Sequence, residues 1–508
     1  MHILVLILCT LIHLWSGLSF AKVPNNRLVF AFEDAPRTYD PRYAVDANSQ
    51  YVEGLVHCSL VDFDKKGKVV PYLAESWQWL DSKTLKIRLK AGAYFSNGQP
   101  VNPDDVKASY EFFFAQTKHL SPRAGAFKGI KEIKVAGKEL IFTLSDPDAS
   151  FLGNLSVGIL PKELALGGHI STPEKIPSCG AFTLKKKGLT GVLLGVNSYY
   201  QLGPKPKLEE IEIKIVKDET TRYAKLQKGE LDLVQNGLGI DKILGIIKSK
   251  SSNLKFDRLA GLKTRYLGYN IKDQYLKNQK VRKAISLAIN RDAIIQYLLG
   301  GMASKAATML PPYHEYFNQS LEQAEYDPKK ANKILDESGF KIKEDGFRFM
   351  LSYKTTNRTS SLGIAKAIAS DLKNIGIKVE VETLEWGRFK ADVDKGHVQM
   401  WGLAWIGFKD PDIYHYAFSS HSFPPDGGNR GWFHDPEVDM LLDKAQETID
   451  FTKRKKIYDK VQVQLFEKSP YAFLFHEDHV VLMQPNVKGF ELYADGRYSS
   501  LRHAYKEN

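Results

Sequence analysis

The stretch Ile364-Ala365-Lys366-Ala367-Ile368-Ala369-Ser370-Asp371-Leu372-Lys373-Asn374-Ile375-Gly376-Ile377-Lys378-Val379-Glu380-Val381-Glu382-Thr383-Leu384 reads as a helix followed by a strand, and it runs into Glu385-Trp386. The same alternation extends along the whole chain. Arg27–Phe32 reads as a strand, residues 49–60 as a helix and residues 63–68 as a turn. Thr84–Leu89 alternates apolar and polar residues with the period of two of a half-buried strand, and residues 140–144 and 211–216 do the same. Helix starts are well marked. Asn102 precedes Pro103, Asp104 and Asp105, which predicts an Asn cap, a proline at the first helical position and acids facing the dipole. Asp327-Pro328 opens a helix that closes before Gly339, and Asp435-Pro436-Glu437 opens another through Leu441 and Ala445. Asn290-Arg291-Asp292 restarts a helix after residues 281–289, and Gly300-Gly301 ends it. Interleaved strands and helices argue for α/β lobes. A chain of 508 residues exceeds what one core supports, so two or three lobes are expected, with a cleft between them where a ligand can bind.

Just downstream stands Trp401-Gly402-Leu403-Ala404-Trp405-Ile406-Gly407-Phe408-Lys409-Asp410-Pro411-Asp412. With Trp386, it concentrates rigid aromatic surface beside Gly and Pro. Such surface can cover a ligand with little loss of entropy, and it can equally fill a core.

Residues 1–21 contain no Lys, Arg, Asp or Glu, and residues 3–15 are almost continuously apolar. Ser19-Phe20-Ala21 places small residues where a signal peptidase reads, so cleavage before Lys22 is expected. The apolar run is shorter than the about 20 residues of a membrane span. Leu8 before Cys9 argues against a lipoprotein site. The mature chain is expected to be exported, soluble and periplasmic, not an integral membrane protein. The net charge of +12 comes from lysines spread along the chain, which is a solvated surface rather than a nucleic-acid footprint. Cys58 and Cys179 remain after cleavage. They are too few for a disulfide scaffold, and the sequence leaves a bond between them open.

No His-Glu-x-x-His, Cys-x-x-Cys, Gly-x-Ser-x-Gly or P-loop motif occurs. His476, Glu477 and His479 are the closest histidine group. Strand spacing sends His476 and Glu477 to opposite faces, so a surface or cleft-edge position is expected rather than a metal site. Asp410 and Asp412 flank Pro411 without a partner for acid–base work, and they read as a turn and helix start. No catalytic residue, metal ligand or cofactor is expected.

A set of ordered motifs points further. Tyr39-Asp40-Pro41, Glu53-Gly54-Leu55 and Val70-Pro71-Tyr72-Leu73-Ala74-Glu75-Ser76-Trp77 come first. Leu89-Lys90-Ala91-Gly92-Ala93-Tyr94-Phe95-Ser96-Asn97-Gly98 and Asp104-Asp105-Val106 follow. Later come Pro204-Lys205-Pro206-Lys207-Leu208, Leu226-Gln227-Lys228-Gly229-Glu230-Leu231-Asp232, Val281-Arg282-Lys283-Ala284-Ile285-Ser286, Ile289-Asn290-Arg291, Ile375-Gly376-Ile377-Lys378-Val379-Glu380 and Arg454-Lys455-Lys456-Ile457-Tyr458. From about Leu28 to the C-terminus this series resembles the family 5 extracellular solute-binding proteins, the oligopeptide- and dipeptide-binding components of ABC importers.

The resemblance implies a periplasmic binding protein-like α/β fold of the cluster C type. Lobe I would comprise residues 22–66, 181–264 and 481–508, a small extra domain residues 67–180, and lobe II residues 265–480. The lobes would close about a hinge over a peptide or other small solute, and the closed form, a monomer, would dock on a permease pair driven by ATPases. The implied ligand-binding set is Trp386, Trp405, Gly407, Phe408, Lys409, Asp410 and Asn48. Trp401 lacks that support and stays a packing residue.

Departures from the family pattern bear on the ligand. Phe408 stands where peptide binders carry an aspartate for the ligand's ammonium group, in a loop one residue shorter. Lys409 or Asp410 could substitute through a shifted loop. Val393 and Gly402 replace arginines that neutralise ligand carboxylates. Asp412 stands where a nickel-binding relative has histidine, with His415 three residues on. A sensory or chaperone-like receptor of the same fold, or a receptor for a sugar or metal chelate, is the alternative, and an exported hydrolase is disfavoured.

Overall fold

The computed structural model describes residues 26–114, 121–170, 172–249, 252–322 and 325–507. The expected leader and Cys9 lie outside them. In chain order the strands are β1 Arg27–Phe32, β2 Val61–Phe63, β3 Val69–Pro71, β4 Ala74–Trp79, β5 Thr84–Leu89, β6 Ile130–Ala136, β7 Glu139–Leu144, β8 Phe182–Gly188 and β9 Gly191–Val196. They continue with β10 Glu210–Ile215, β11 Leu233–Gln235, β12 Lys255–Tyr269, β13 Ala303–Lys305, β14 Phe349–Thr356, β15 Ile377–Leu384, β16 Met400–Ile406 and β17 Tyr471–Met483.

Eleven of these strands form one sheet in the order β15-β14-β16-β12-β17-β11-β1-β10-β9-β8, with β13 also paired to β17. The sheet runs through both lobes. In the second lobe alternate residues of its strands feed two cores. Tyr266, Trp401, Tyr471 and Phe473 point to one face, and Leu267, Tyr269, Met400, Ala472 and Leu474 to the other, as the strand period of two requires. A separate antiparallel sheet, β4-β5-β7-β6, makes the small domain, whose core is continuous with that of the first lobe. Cys58 and Cys179 form a disulfide across 121 residues. It fastens the two ends of the segment that contains this small sheet.

The stretch 364–384 folds as read. A helix spans Thr359–Lys373, Gly376 turns the chain at φ +75°, and β15 follows. Asp327 and Asp435 cap their helices through the amides of Lys330 and Val438. Two boundaries and one cap differ from the reading. The first helix spans Ala47–Val56 because Asp46 caps it earlier and His57 is already extended. At Asn102 the main-chain amide donates to Asp105 Oδ2 at 2.8 Å, so the acid of the first turn closes this end. After Asn290 only the single turn Arg291–Ala293 is α-helical, and Ile294–Leu298 widens into a π turn.

β12 and β17 pass from one lobe to the other side by side. Their antiparallel register slips between Ala260 and Thr264. There Gly261, Leu262 and Lys263 face only Glu477, a bulge that bends the ribbon. A Cβ on Gly261 would lie 2.6 Å from the Glu477 carbonyl oxygen and 3.0 Å from the His479 ring. Gly261→Ala therefore has to move main chain at the crossing. It is expected to cost about 1–3 kcal/mol and to open the lobes, read as a larger radius of gyration in small-angle scattering. A variant as compact and as stable as the parent would remove this glycine from the hinge.

Candidate ligand cavity between the lobes

A cavity of about 420 Å³ lies where the helix Ala47–Val56, the C-terminal segment and the turn after β16 meet. Glu53, Asp62, Arg123, Asp495, Arg497 and Arg502 line one side, and Ile406, Gly407 and Lys409 the other. A wider compartment of about 620 Å³ shares Val45, Gln50, Arg123, Ser156, Gly407 and Lys409 with it and adds Glu315, Phe408, Asp410 and Asp412.

The turn is set by Gly407. It ends β16 at φ +71°, a left-handed conformation that glycine adopts without a side-chain penalty. Its amide donates to the carbonyl of Leu262 in the hinge bulge at 3.2 Å. The chain then reverses, so Phe408 packs into the second-lobe core with 8% exposure, and Lys409 reaches across. Lys409 Nζ lies 3.1 Å from Asp495 and 3.9 Å from the centroid of the Phe63 ring. Burial, and then the neighbouring Arg497, push its ammonium down to about 8 against the pull of Asp495. Asp495 also accepts Arg497 Nε at 2.7 Å. Burial opposes its ionisation, but Arg497 and Lys409 outweigh it and hold the carboxyl well below its usual range. Asp62 accepts from Arg497 and from Arg502 at 2.8 Å. Glu53 accepts Arg123 at 2.9 and 3.0 Å and the Gly158 amide at 2.9 Å.

Asp410 is not free to receive a ligand. Its two oxygens accept the Arg454 guanidinium at 2.7 and 2.9 Å, and Oδ1 also accepts the Asp412 amide at 2.8 Å. Asp412 accepts the Gln446 amide at 3.1 Å through Oδ2, while its buried Oδ1 has no partner among the described residues. Burial, then Asp410, push the Asp412 carboxyl up to about 6. An acid raised in the fold binds its proton more tightly there than in the unfolded chain. The contribution of this group to folding stability is therefore lost as pH rises from about 4 to about 6. Asp412→Asn keeps the Gln446 contact and removes the charge. It is expected to raise stability at pH 7 by about 1–2 kcal/mol, with the gain absent below pH about 4. Thermal unfolding of both proteins across that range checks it, and a pH-independent difference would refute it.

The remaining expected residues lie elsewhere. Trp405 stacks on Tyr266 with centroids 6.1 Å apart, meets Tyr416 edge-on at 5.8 Å and has Arg430 at 5.3 Å from its centroid. Trp386 opens the helix Trp386–Asp394 with 54% of its surface exposed. Asn48 donates to the Asp34 carbonyl at 2.7 Å. None of these three lines either compartment. Trp401 is fully buried in the core, and the missing side chain of Gly268 makes its room, since a Cβ there would lie 2.3 Å from the ring. His476 departs from its expected surface or cleft-edge place. It is fully buried with Nδ1 2.9 Å from Thr264 Oγ1, and burial pushes its imidazole down to about 3. On the other face Glu477 accepts Arg265 at 2.7 and 2.9 Å and also Lys263. Burial is outweighed by these cations, and its carboxyl falls to about 2. His415 turns to Asp443 at 3.2 Å. Among the described residues no group of three or more His, Cys, Asp or Glu could hold a metal ion, and no helix is long and apolar enough to cross a membrane.

The charged wall was missed by sequence reasoning. Asp62 and Arg497 are 435 residues apart, and no local motif marks either one. Asp495 and Arg497, two apart near the C-terminus, were the one visible signal, and an isolated charge pair reads as surface.

The family model described as bacterial extracellular solute-binding proteins, family 5 Middle, matches residues 68–424. The dipeptide-binding protein of Escherichia coli K12 is 29% identical over 506 residues, covering 92% of this chain and 93% of that protein. The glutathione-binding protein GsiB of Salmonella choleraesuis is 28% identical, with 95% of each chain covered. Among solved structures, NikZ from Campylobacter jejuni in complex with Ni(L-His) superposes with a TM-score of 0.78 at 27% identity, covering 95% of this chain and all of that one.

Proposed function

Since the chain belongs to the bacterial extracellular solute-binding proteins of family 5, we infer that it is the substrate-binding protein of an ABC importer. It captures a peptide or peptide-like solute between its lobes in the periplasm, after removal of residues 1–21. It then delivers the solute chemically unchanged to a permease pair driven by ATPases. The observation that carries this reading is the inter-lobe cavity, walled by residues of both lobes and crossed by Lys409 to Asp495. On this reading Gly407 and Lys409 face the solute, Phe408 and Asp410 anchor the turn at the edge of the wider compartment, and Trp405 stiffens the strand that presents them. Trp386 and Asn48 act outside the cavity wall.

Protein purified under native conditions and then denatured is expected to release a solute detectable by mass spectrometry. Returning that solute to the stripped protein is expected to lower the radius of gyration in small-angle scattering. A protein that releases nothing and stays unchanged in shape with a peptide digest would overturn the reading.

A further inference from the structure

The charges of the narrow compartment do not balance. Among the described residues four cations line it, namely Arg123, Lys409, Arg497 and Arg502, against the three carboxylates Glu53, Asp62 and Asp495. Each carboxylate is already engaged. Glu53 is held by Arg123 and Gly158, Asp62 by Arg497 and Arg502, and Asp495 by Arg497 and Lys409. The cations are not equally engaged. Arg502 spends Nη1 on Asp62 and Nη2 on the Gly54 carbonyl at 2.7 Å, and its buried Nε has no acceptor among the described residues. Arg497 lies close enough to Lys409 to penalise its charge. The one histidine of the wall, His57, adds no positive charge at neutral pH, since burial pushes it down to about 4.

A desolvated wall with surplus positive charge and no free carboxylate favours an anion over a neutral or cationic group. Guanidinium and ammonium donors also form stronger hydrogen bonds to ionised oxygens than to neutral ones.

We propose that this compartment is an anion subsite: Arg497 and Arg502 from the C-terminal segment, with Lys409 from the other lobe, receive a carboxylate or an equivalent oxyanion of the solute. The solute's remaining atoms then extend into the wider compartment beyond Gly407. Because Lys409 is the cation of this wall that comes from the second lobe, the anion bridges the lobes and favours closure. The Lys409 to Asp495 contact spans the same gap. This assignment rests on the reading that the cavity between the lobes is the solute site.

The test compares acids with their amides. A mixture of tripeptides, prepared once as free acids and once as C-terminal amides, is passed over the immobilised stripped protein, and the retained species are identified by mass spectrometry. Free acids are expected to be enriched by about tenfold or more, the factor that corresponds to 1.4 kcal/mol. Lys409→Gln is expected to reduce that preference without improving retention of the amides. Equal retention of acids and amides by the parent protein would overturn the subsite.

Retention of no tripeptide in either form would count against the peptide reading alone, so a second probe is applied to the same protein. Glutarate is expected to raise the melting temperature more than glutaramide at matched ionic strength, and Lys409→Gln to shrink the difference. Equal shifts with the two probes would overturn the anion subsite whatever the solute is.

Discussion

Arg454→Ala is expected to lower the unfolding free energy by about 2–3 kcal/mol, less than the cost of breaking a wholly buried ion pair, because the Asp410 side chain left behind is 34% exposed and partly screened by solvent. The Arg454 side chain is 3% exposed. It holds both oxygens of Asp410, donates through Nε to the Ala445 carbonyl at 3.1 Å, and lies 5.4 and 5.3 Å from the ring centroids of Tyr316 and Tyr458. Without it, Asp410 and the already raised Asp412 face each other with no cation. Much of the loss belongs to that uncompensated charge rather than to the pair itself. The double variant Arg454→Ala/Asp410→Asn is therefore expected to recover a good part of it in a denaturant double-mutant cycle. A single-variant loss under about 1 kcal/mol, the range of an exposed pair, would show that the site is solvated. Solute affinity is expected to fall together with stability, since Asp410 anchors the turn that carries Lys409.

Removing the disulfide is the second large effect. Cys58→Ala/Cys179→Ala is expected to cost about 2–5 kcal/mol, because the bond closes a long loop and so restricts the unfolded chain. The separation of 121 residues puts the expectation at the upper end. Both cysteines are buried, with 0% and 1% exposure, so the alanine variant also avoids leaving two thiols in the core. Reduced parent protein and double variant should unfold at the same denaturant concentration, below that of the oxidised parent. Coincident transitions for all three would mean that the bond adds nothing to the fold.

What the sequence made legible was local or repeated. Asp327 and Asp435 announced their helices because a cap acts within three residues. Thr84–Leu89 and residues 364–384 announced theirs because burial imposes a period. Trp401 read as packing and is packing. The charged wall was illegible because its members meet only through the fold. Arg497 and Arg502 point at Asp62 from the far end of the chain, and their spacing resembles that of any exposed charge. The Cys58–Cys179 bond was open for the same reason, since two distant cysteines do not reveal their separation in space. Asp410 and Asp412 looked alike beside Pro411. One is neutralised by Arg454 and the other has an unpartnered oxygen, a difference made by the helix Phe451–Lys468 that carries the arginine. Trp405 resembles a ligand-covering residue in the sequence, and its neighbours in the fold are Tyr266, Tyr416 and Arg430.

Leu262, in the hinge bulge, is tied on both sides. Its amide donates to Ala494 at 2.6 Å, and its carbonyl accepts from Gly407 at 3.2 Å. The Gly407 bond continues the β12–β16 pairing, whereas the Leu262 amide reaches the C-terminal segment, so separation of the two halves is expected to release the Leu262 proton to solvent, while a rigid shell keeps it. Deuterium uptake at that one main-chain position is thus a built-in clock for how often the protein breathes, readable without dye, cargo or membrane.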